Sequence, residues 1–578
     1  MNKMQRLINE ALRNNAGQSL RSEDIKNFSK LYVDAFDVNS LASNAHQIVS
    51  GRRGSGKTIL LGALHEHVHD KMWDKNVVSF KFSAQNFLVS PQGVELDTKT
   101  TAYFCLQSFI QSLAQKFLDY ADKVLESKGI LHRLGFLTNE TYKEKFIDLV
   151  LELVELSMAG SILVSPGLIS DKKTSSEKQE DSHCGDVSCQ GDLKLNNNPG
   201  LALKLSGGYK KGKKIIETVT SETKHSFVRG FEASKLKKKI VELLELLQID
   251  YLILIIDEWM VLKSLQVEFA ENLKRVFFGE NKIAIKIGAD PYLSKFNNCA
   301  SGNLLRGLEV GADIFCEVDL SVPLHGPNMI AIFAKILRKR LCFFCSELND
   351  KLMENEEGDN YLVKEIFNNE RAFEELCHAS QGLPRNFLDT FKNCTKAIGY
   401  DIVDKQIDVD TIRQSLVKTI ENNYDFSTGQ DSGEILLNDY IKEYVFEACA
   451  LFFFVKRSDS ERIDGMNDLL AKRKIHTLPV EYLHPTLRGE YMCYELDYPL
   501  FLSWIRDIEY VKNVGKIQEQ REKIKDIDIN KIDDYKISFT LSAKDEKKVC
   551  RHCGLIFSVY EKCYIIKSLC PHCYEENA

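Results

Sequence analysis

No stretch of this chain is apolar for long enough to cross a bilayer, which excludes a helical membrane anchor. The first residues, Met1-Asn2-Lys3-Met4-Gln5-Arg6, carry no apolar leader segment, so export is not expected. Positive charge is not in excess. The formal net charge of −7 argues against a chain that coats nucleic acid along its length, while leaving room for one local basic surface. There is no internal repeat, so a stacked sensor array is not expected. No nuclease or protease signature is visible, which assigns any such activity to a separate partner chain. Without an export signal, the 16 cysteines read as reduced residues of a cytoplasmic protein, not as a disulfide framework. Most, such as Cys316 and Cys345, lie in apolar runs and are expected in the core.

What the chain does have begins with Gly51-Arg52-Arg53-Gly54-Ser55-Gly56-Lys57-Thr58, a complete G-x-x-x-x-G-K-T phosphate loop. Ala45–Ser50 before it reads as a short buried strand, and Ile59–Leu64 after it as a helix. The glycines let backbone N–H groups turn toward phosphates. Lys57 is placed for the β- and γ-phosphates and Thr58 for Mg²⁺. The ligand class is therefore a nucleoside triphosphate, expected to be ATP.

About two hundred residues later, Tyr251–Ile256 is a continuous apolar run, as in a strand buried on both faces, and it ends in Asp257-Glu258. Asp257 is placed to hold the Mg²⁺ shell beside Thr58, and Glu258 to act as general base toward water. A further strand over 282–290 is expected to lie beside this one. Gly382-Leu383-Pro384-Arg385 breaks and restarts a helix, with Arg385 in its first turn.

Together, Gly51–Thr58, Leu252–Glu258, the 283–290 strand and Gly382–Arg385 resemble an AAA+ ATPase of the initiator, origin-recognition-like clade, close to the STAND signalling ATPases. The likeness covers roughly residues 20–425. The stretch from Glu258-Trp259-Met260 through Leu273-Lys274-Arg275 to Ile285-Lys286-Ile287 is similar to bacterial origin-recognition-like ATPases, some in antiphage defence loci. The resemblance implies an α/β P-loop NTPase core of AAA+ type with a parallel sheet, a helical lid, and assembly into a homo-oligomer. It implies that Arg385 folds back onto the γ-phosphate and that a neighbour's arginine completes the site, with Arg306 or Arg275 as candidates. It also implies a γ-phosphate sensor after the 283–290 strand. Asp290 and Ser294 stand there, where such ATPases carry Asn or Thr.

Cys550-x-x-Cys553 and Cys570-x-x-Cys573 are separated by 16 residues. Two such knuckles joined by a hairpin-length spacer suit a closed tetrahedral Zn²⁺ site, with His552 and His572 outside the ligand set. So small a segment builds little core, and metal carries its fold.

The expected organisation is a helical lead-in over 1–40, the ATPase core over 41–324 and a helical lid over 325–425. A winged-helix-like domain over 433–510, a charged linker over 511–549 and a zinc ribbon over 550–573 follow. The core carries a polar inserted loop or hairpin at about 160–230, in which His183, Cys184 and Cys189 read as solvated. Helices are expected over Leu436–Phe454 and Arg462–Arg473, then a hairpin over 475–497. Lys456, Arg457, Lys472, Arg473, Lys474 and Arg488 are the candidate DNA contacts; a domain used only for protein contacts, with these charges solvated, is the equal alternative. Three functions stay open: an ATP-hydrolysing switch or motor on DNA or a DNA-bound partner, a STAND-like switch controlling oligomerisation and a separate effector, and a weakly hydrolysing scaffold.

Overall fold

The computed structural model describes residues 3–14, 27–33, 37–71, 76–88, 97–126, 140–158, 232–299, 305–320, 328–353, 359–423, 432–448, 450–460, 465–478, 483–505, 521, 523–537, 547–549 and 556–558. The chain divides into two compact units, residues 20–321 and residues 1–19 with 322–578.

The first unit is built on a five-stranded parallel sheet of β1 (Gln47–Ser50), β2 (Val77–Ser83), β3 (Tyr251–Asp257), β4 (Ile283–Ala289) and β7 (Phe315–Asp319). Their spatial order is β2-β3-β4-β1-β7, and each neighbouring pair is parallel. Helices cover both faces, which is why β3 and β4 are apolar throughout instead of alternating. On one face the helix Lys57–Lys71 packs Leu60, Leu61, Leu64 and Val68 against Val49, Ile253, Ile255 and Ala284. On the other, the helices Thr98–Glu126, Glu140–Met158, Ala233–Leu246 and Gln266–Phe277 pack against Val78, Phe80, Phe82, Leu254, Ile256, Ile285 and Ile287. Each fully buried aliphatic side chain of β3 contributes about 1.5–3 kcal/mol. A short antiparallel pair, β5 (Asn297–Cys299) with β6 (Leu305–Gly307), follows β4.

The sheet explains several buried polar residues. Lys286 on β4 has no exposed surface, and its ammonium donates to Ala45 O (2.7 Å) and to the Gln47 side chain. His46 stacks on Phe278 with ring centroids 3.9 Å apart and accepts from Ile285 N–H (3.2 Å). Cys316 is exposed on β7, contrary to the core placement expected from its apolar neighbours; among the described residues β7 is the edge strand and pairs with β1 alone.

Among the described residues, the second unit contains eight α-helices and one π-helical turn between Met329 and Ala448. The helix Lys3–Arg13, expected to lead onto the nucleotide site, packs here instead, burying Leu7, Ile8, Ala11 and Leu12. Its Asn9 donates to Asp401 (2.9 Å) and accepts from Ile402 N–H (3.1 Å). The helical stretch from Ser432 passes through a π-turn at Leu436–Ile441 and stops at Ala448.

Phe452–Lys456 is a strand, β8, where helix was expected through Phe454. A short apolar run does not declare its period, and pairing decided it. β8 pairs antiparallel with β10 (Tyr491–Leu496), which pairs with β9 (Ile475–Thr477). The helix Met466–Ala471 precedes β9. Part of the expected 511–549 linker is folded. Ile524, Ile527 and Ile532 are buried against Phe452 and Phe454, and Ile537 N–H donates to Phe454 O (3.0 Å). Three isoleucines spread among charges give no periodic signal, so only tertiary contact reveals them.

β11 (Lys547–Val549) and β12 (Ile556–Ser558) pair antiparallel and flank the first cysteine pair in sequence. Cys550, Cys553, Cys570, Cys573 and the 160–230 segment lie outside the described residues. Among the described residues no helix is long and apolar enough to cross a membrane.

Candidate functional site

The phosphate loop leaves β1 at the C-terminal edge of the sheet and enters the helix Lys57–Lys71, as the sequence suggested. Gly51 N–H donates to Ala289 O (3.1 Å), so the loop starts as a continuation of the β1–β4 pairing. Gly54 (φ 94°) and Gly56 (φ 101°) take backbone conformations that a side chain would strain. The Lys57 ammonium folds back over the loop and donates to Gly51 O (2.5 Å) and Arg52 O (3.1 Å). Ser55 Oγ is buried without a hydrogen-bond partner among the described residues. A bent lysine over a helix N-terminus, a hydroxyl left without a partner and open space in front of Gly56 fit a phosphate group. Arg52 is buried, with its guanidinium 6.0 Å from the Tyr292 ring centre.

Asp257 ends β3 and is buried. Its Oδ1 accepts from Glu258 N–H (2.9 Å). Glu258 has a left-handed backbone (φ 62°, ψ 35°), a conformation costing a non-glycine residue about 1–3 kcal/mol. That turn aims its side chain at β2, where Ser83 Oγ–H donates to Oε2 (2.6 Å). β2 is the neighbour of β3 on the side away from β1, so Glu258 is held on the side opposite the phosphate loop.

Two site residues carried no motif signal. One is Ser83, which the register sets directly opposite Asp257. The other is Lys81, two residues earlier on the same face of β2. Burial lowers the Lys81 pKa, while the charges of Asp257, Glu258 and Glu66 oppose that shift. Its ammonium lies 4.2 Å from the Phe28 ring centre. Phe28 is fixed in turn because Phe28 and Ser29 N–H donate to Glu66 (2.6 and 2.7 Å). Period-two alternation in Ser79-Phe80-Lys81-Phe82-Ser83 is the one signal that could have marked this polar face.

The sensor candidates have structural partners. Asp290 is buried and accepts from Arg53 N–H (3.1 Å) and Tyr292 N–H (3.1 Å). Ser294 Oγ accepts from Asp290 N–H (2.9 Å). Asp290 therefore ties the end of β4 to the phosphate loop. Arg306 lies on β6 and pairs with Glu268 (3.0 Å), and Arg275 pairs with Glu271 (3.0 Å).

In the second unit, Pro384 opens the helix Pro384–Ala397, with Arg385 next to it. Asp389, one turn on, has its pKa raised by burial, and Arg385, Lys392, Arg473 and Arg340 oppose that rise. Just before this helix, Gln381 has no exposed surface. It donates to Glu495 (3.0 Å) and Leu496 O (2.8 Å) and accepts from Tyr498 N–H (3.1 Å). Glu495 also takes a two-pronged ion pair from Arg521 (2.9 and 2.7 Å), whose other arm meets His378 Nδ1 (3.2 Å). The turn bearing Arg385 is thus joined to β10 by buried polar contacts.

The basic residues of the C-terminal region divide. Lys474 is buried against Glu434, Lys456 pairs with Glu490 (3.5 Å), and Arg473 reaches Asn386 (3.3 Å). Arg457, Lys472 and Arg488 are exposed. Among the described residues no group of three or more His, Cys, Asp or Glu side chains is placed to hold a metal ion. No family model matches the chain, and no curated protein matches it.

Proposed function

We propose that this chain is an ATP-binding, ATP-hydrolysing P-loop switch of AAA+ type, acting on DNA or a DNA-bound partner. One observation carries the reading: a complete phosphate loop and an Asp-Glu pair about 200 residues apart in sequence converge on one edge of a single parallel sheet. β4 lies beside the strand that ends in Asp257-Glu258, as expected, and the Asp-Glu order resembles the branch of P-loop proteins that hydrolyse with a strand-borne glutamate. Backbone N–H groups of Gly54–Thr58 and the Lys57 ammonium bind the β- and γ-phosphates. Thr58 and Asp257 would hold Mg²⁺, which would supply charge neutralisation on the phosphate oxygens. Glu258, released from Ser83, orients a water and takes its proton as the water oxygen bonds to the γ-phosphorus and the bond from that phosphorus to the departing ADP oxygen breaks.

The buried contacts from Gln381 to Glu495 and Leu496 O, which tie the Arg385 turn to β10, support a switch. The order of the C-terminal elements, helix, β8, helix, β9, β10, with β10 central, supports the winged-helix reading. Its exposed Arg457, Lys472 and Arg488 are the contacts to nucleic-acid phosphates. The β11–β12 hairpin around the first cysteine pair supports a Zn²⁺ ribbon on Cys550, Cys553, Cys570 and Cys573. The remaining parts of the reading are cytoplasmic location, a homo-oligomer completed by Arg306 or Arg275, and a separate effector, as in an antiphage defence system.

The test is paired variants of the full chain. Lys57→Ala loses ATP binding, whereas Glu258→Gln keeps binding and loses turnover. Undiminished hydrolysis by Glu258→Gln would remove the base from this account.

A further inference from the structure

We infer that Gly288, a residue of no recognised motif, positions Asp257 and the Thr58 face of the phosphate-loop helix for one shared Mg²⁺. The inference rests on the nucleotide-binding reading above.

Gly288 is the penultimate residue of β4, paired with Val49 of β1 on one side and next to the end of β3 on the other. Its φ is ordinary, so backbone freedom does not require a glycine there. Space does. A Cβ at this position would stand 2.9 Å from Asp257 Oδ1 and 2.8 Å from Leu61 Cδ1. Both distances are well inside van der Waals contact. The carboxylate therefore leans across β4 through the gap left by the missing side chain, toward β1 and its loop. Leu61 reaches the same gap from above. It lies three residues beyond Thr58, on the same face of the helix and about 4.5 Å along it. The gap at Gly288 is thus the place where the Asp257 carboxylate and the Thr58 face of the helix approach each other across an intervening strand.

An alanine here leaves the backbone no reason to move. The two atoms it meets too closely are the ends of side chains, while Asp257 Cα at 3.6 Å is in ordinary contact, so the carboxylate and the leucine methyl yield. The expected consequence is a folded protein whose Mg²⁺ site is pried open, with the phosphate loop itself intact. Displacing a group that orients a metal ligand weakens the metal by about tenfold to a hundredfold.

The experiment titrates the full-length protein with a non-hydrolysable ATP analogue in EDTA and across a MgCl₂ series, with thermal unfolding recorded in parallel. Gly288→Ala should bind the analogue in EDTA as the wild type does and require about ten to a hundred times more Mg²⁺ for tight binding. Adding Leu61→Ala removes the clash with the helix and leaves the clash with Asp257, so the double variant should keep the Mg²⁺ defect. If the single variant does not fold, the double variant carries the test. Wild-type Mg²⁺ dependence in a folded Gly288→Ala or in the double variant overturns the inference. If the wild type binds no nucleotide, or binds it equally with and without Mg²⁺, the nucleotide-site reading itself fails.

Discussion

Ser83→Ala should make the purified protein hydrolyse ATP faster in the absence of any partner. Ser83 donates to Glu258 at 2.6 Å, the ordinary separation for a hydroxyl on a carboxylate. A hydrogen bond to a charged acceptor is worth about 1.5–3 kcal/mol. Glu258 must break it to reach a water on the phosphate-loop side of the sheet, because β2 lies on the far side of β3. If that cost is part of the barrier, removing it raises turnover about tenfold to a hundredfold, at about 1.4 kcal/mol per tenfold. ATP affinity should not change, since β3 and β4 separate Ser83 from β1. Ser83→Thr, which keeps the hydroxyl, should behave like the wild type. The assay is steady-state phosphate release at saturating ATP, with affinity measured separately. Turnover that is unchanged or lower in Ser83→Ala, with binding intact, means that Ser83 supports Glu258 for catalysis and does not restrain it.

Acid should destabilise each unit before general acid unfolding. Burial lowers His46 and His378 from 6.5 to about 4, aided by the Lys286 and Arg521 charges and opposed by Asp313 and Glu495. Because the folded pKa lies below the unfolded one, the folded state binds fewer protons between those values. Stability is then complete above about pH 6.5 and is lost as pH falls toward 4. The loss is about 1–3 kcal/mol per histidine after allowance for solvent access. Urea midpoints across this window read it, and His46→Asn, whose amide oxygen can take the Ile285 N–H, should flatten the slope for residues 20–321. A slope identical to wild type contradicts the assignment. A non-hydrolysable ATP analogue should drive oligomer formation, and Arg306→Ala or Arg275→Ala should reduce hydrolysis more than assembly. Mass photometry showing a strict monomer in every nucleotide state counts against a shared site. About one Zn²⁺ per chain should copurify and be lost in Cys550→Ser/Cys573→Ser, with ATP binding retained; full metal content in that variant removes these cysteines from the site.

The sequence by itself determined what is written locally or by period. The phosphate-loop motif is a pattern of contiguous residues in fixed order, so the match at Gly51–Thr58 could be read without a fold. A strand buried on both faces must be apolar throughout, so β3 and β4 were legible, and Asp257 and Glu258 with them as polar residues ending such a run. Tertiary structure alone decided the rest, because it depends on which elements become neighbours. Strand order placed Ser83 and Lys81 beside the acid pair. The crossing of helix and strand over β4 gave Gly288 its meaning, and Cys316 proved exposed on β7. Packing at a distance brought the helix Lys3–Arg13 and the isoleucines at 524, 527 and 532 into the second unit. Pairing with β10 turned Phe452–Lys456 from an ambiguous apolar run into a strand. None of these contacts is encoded by spacing within one segment, because each exists only after two distant stretches of chain have met.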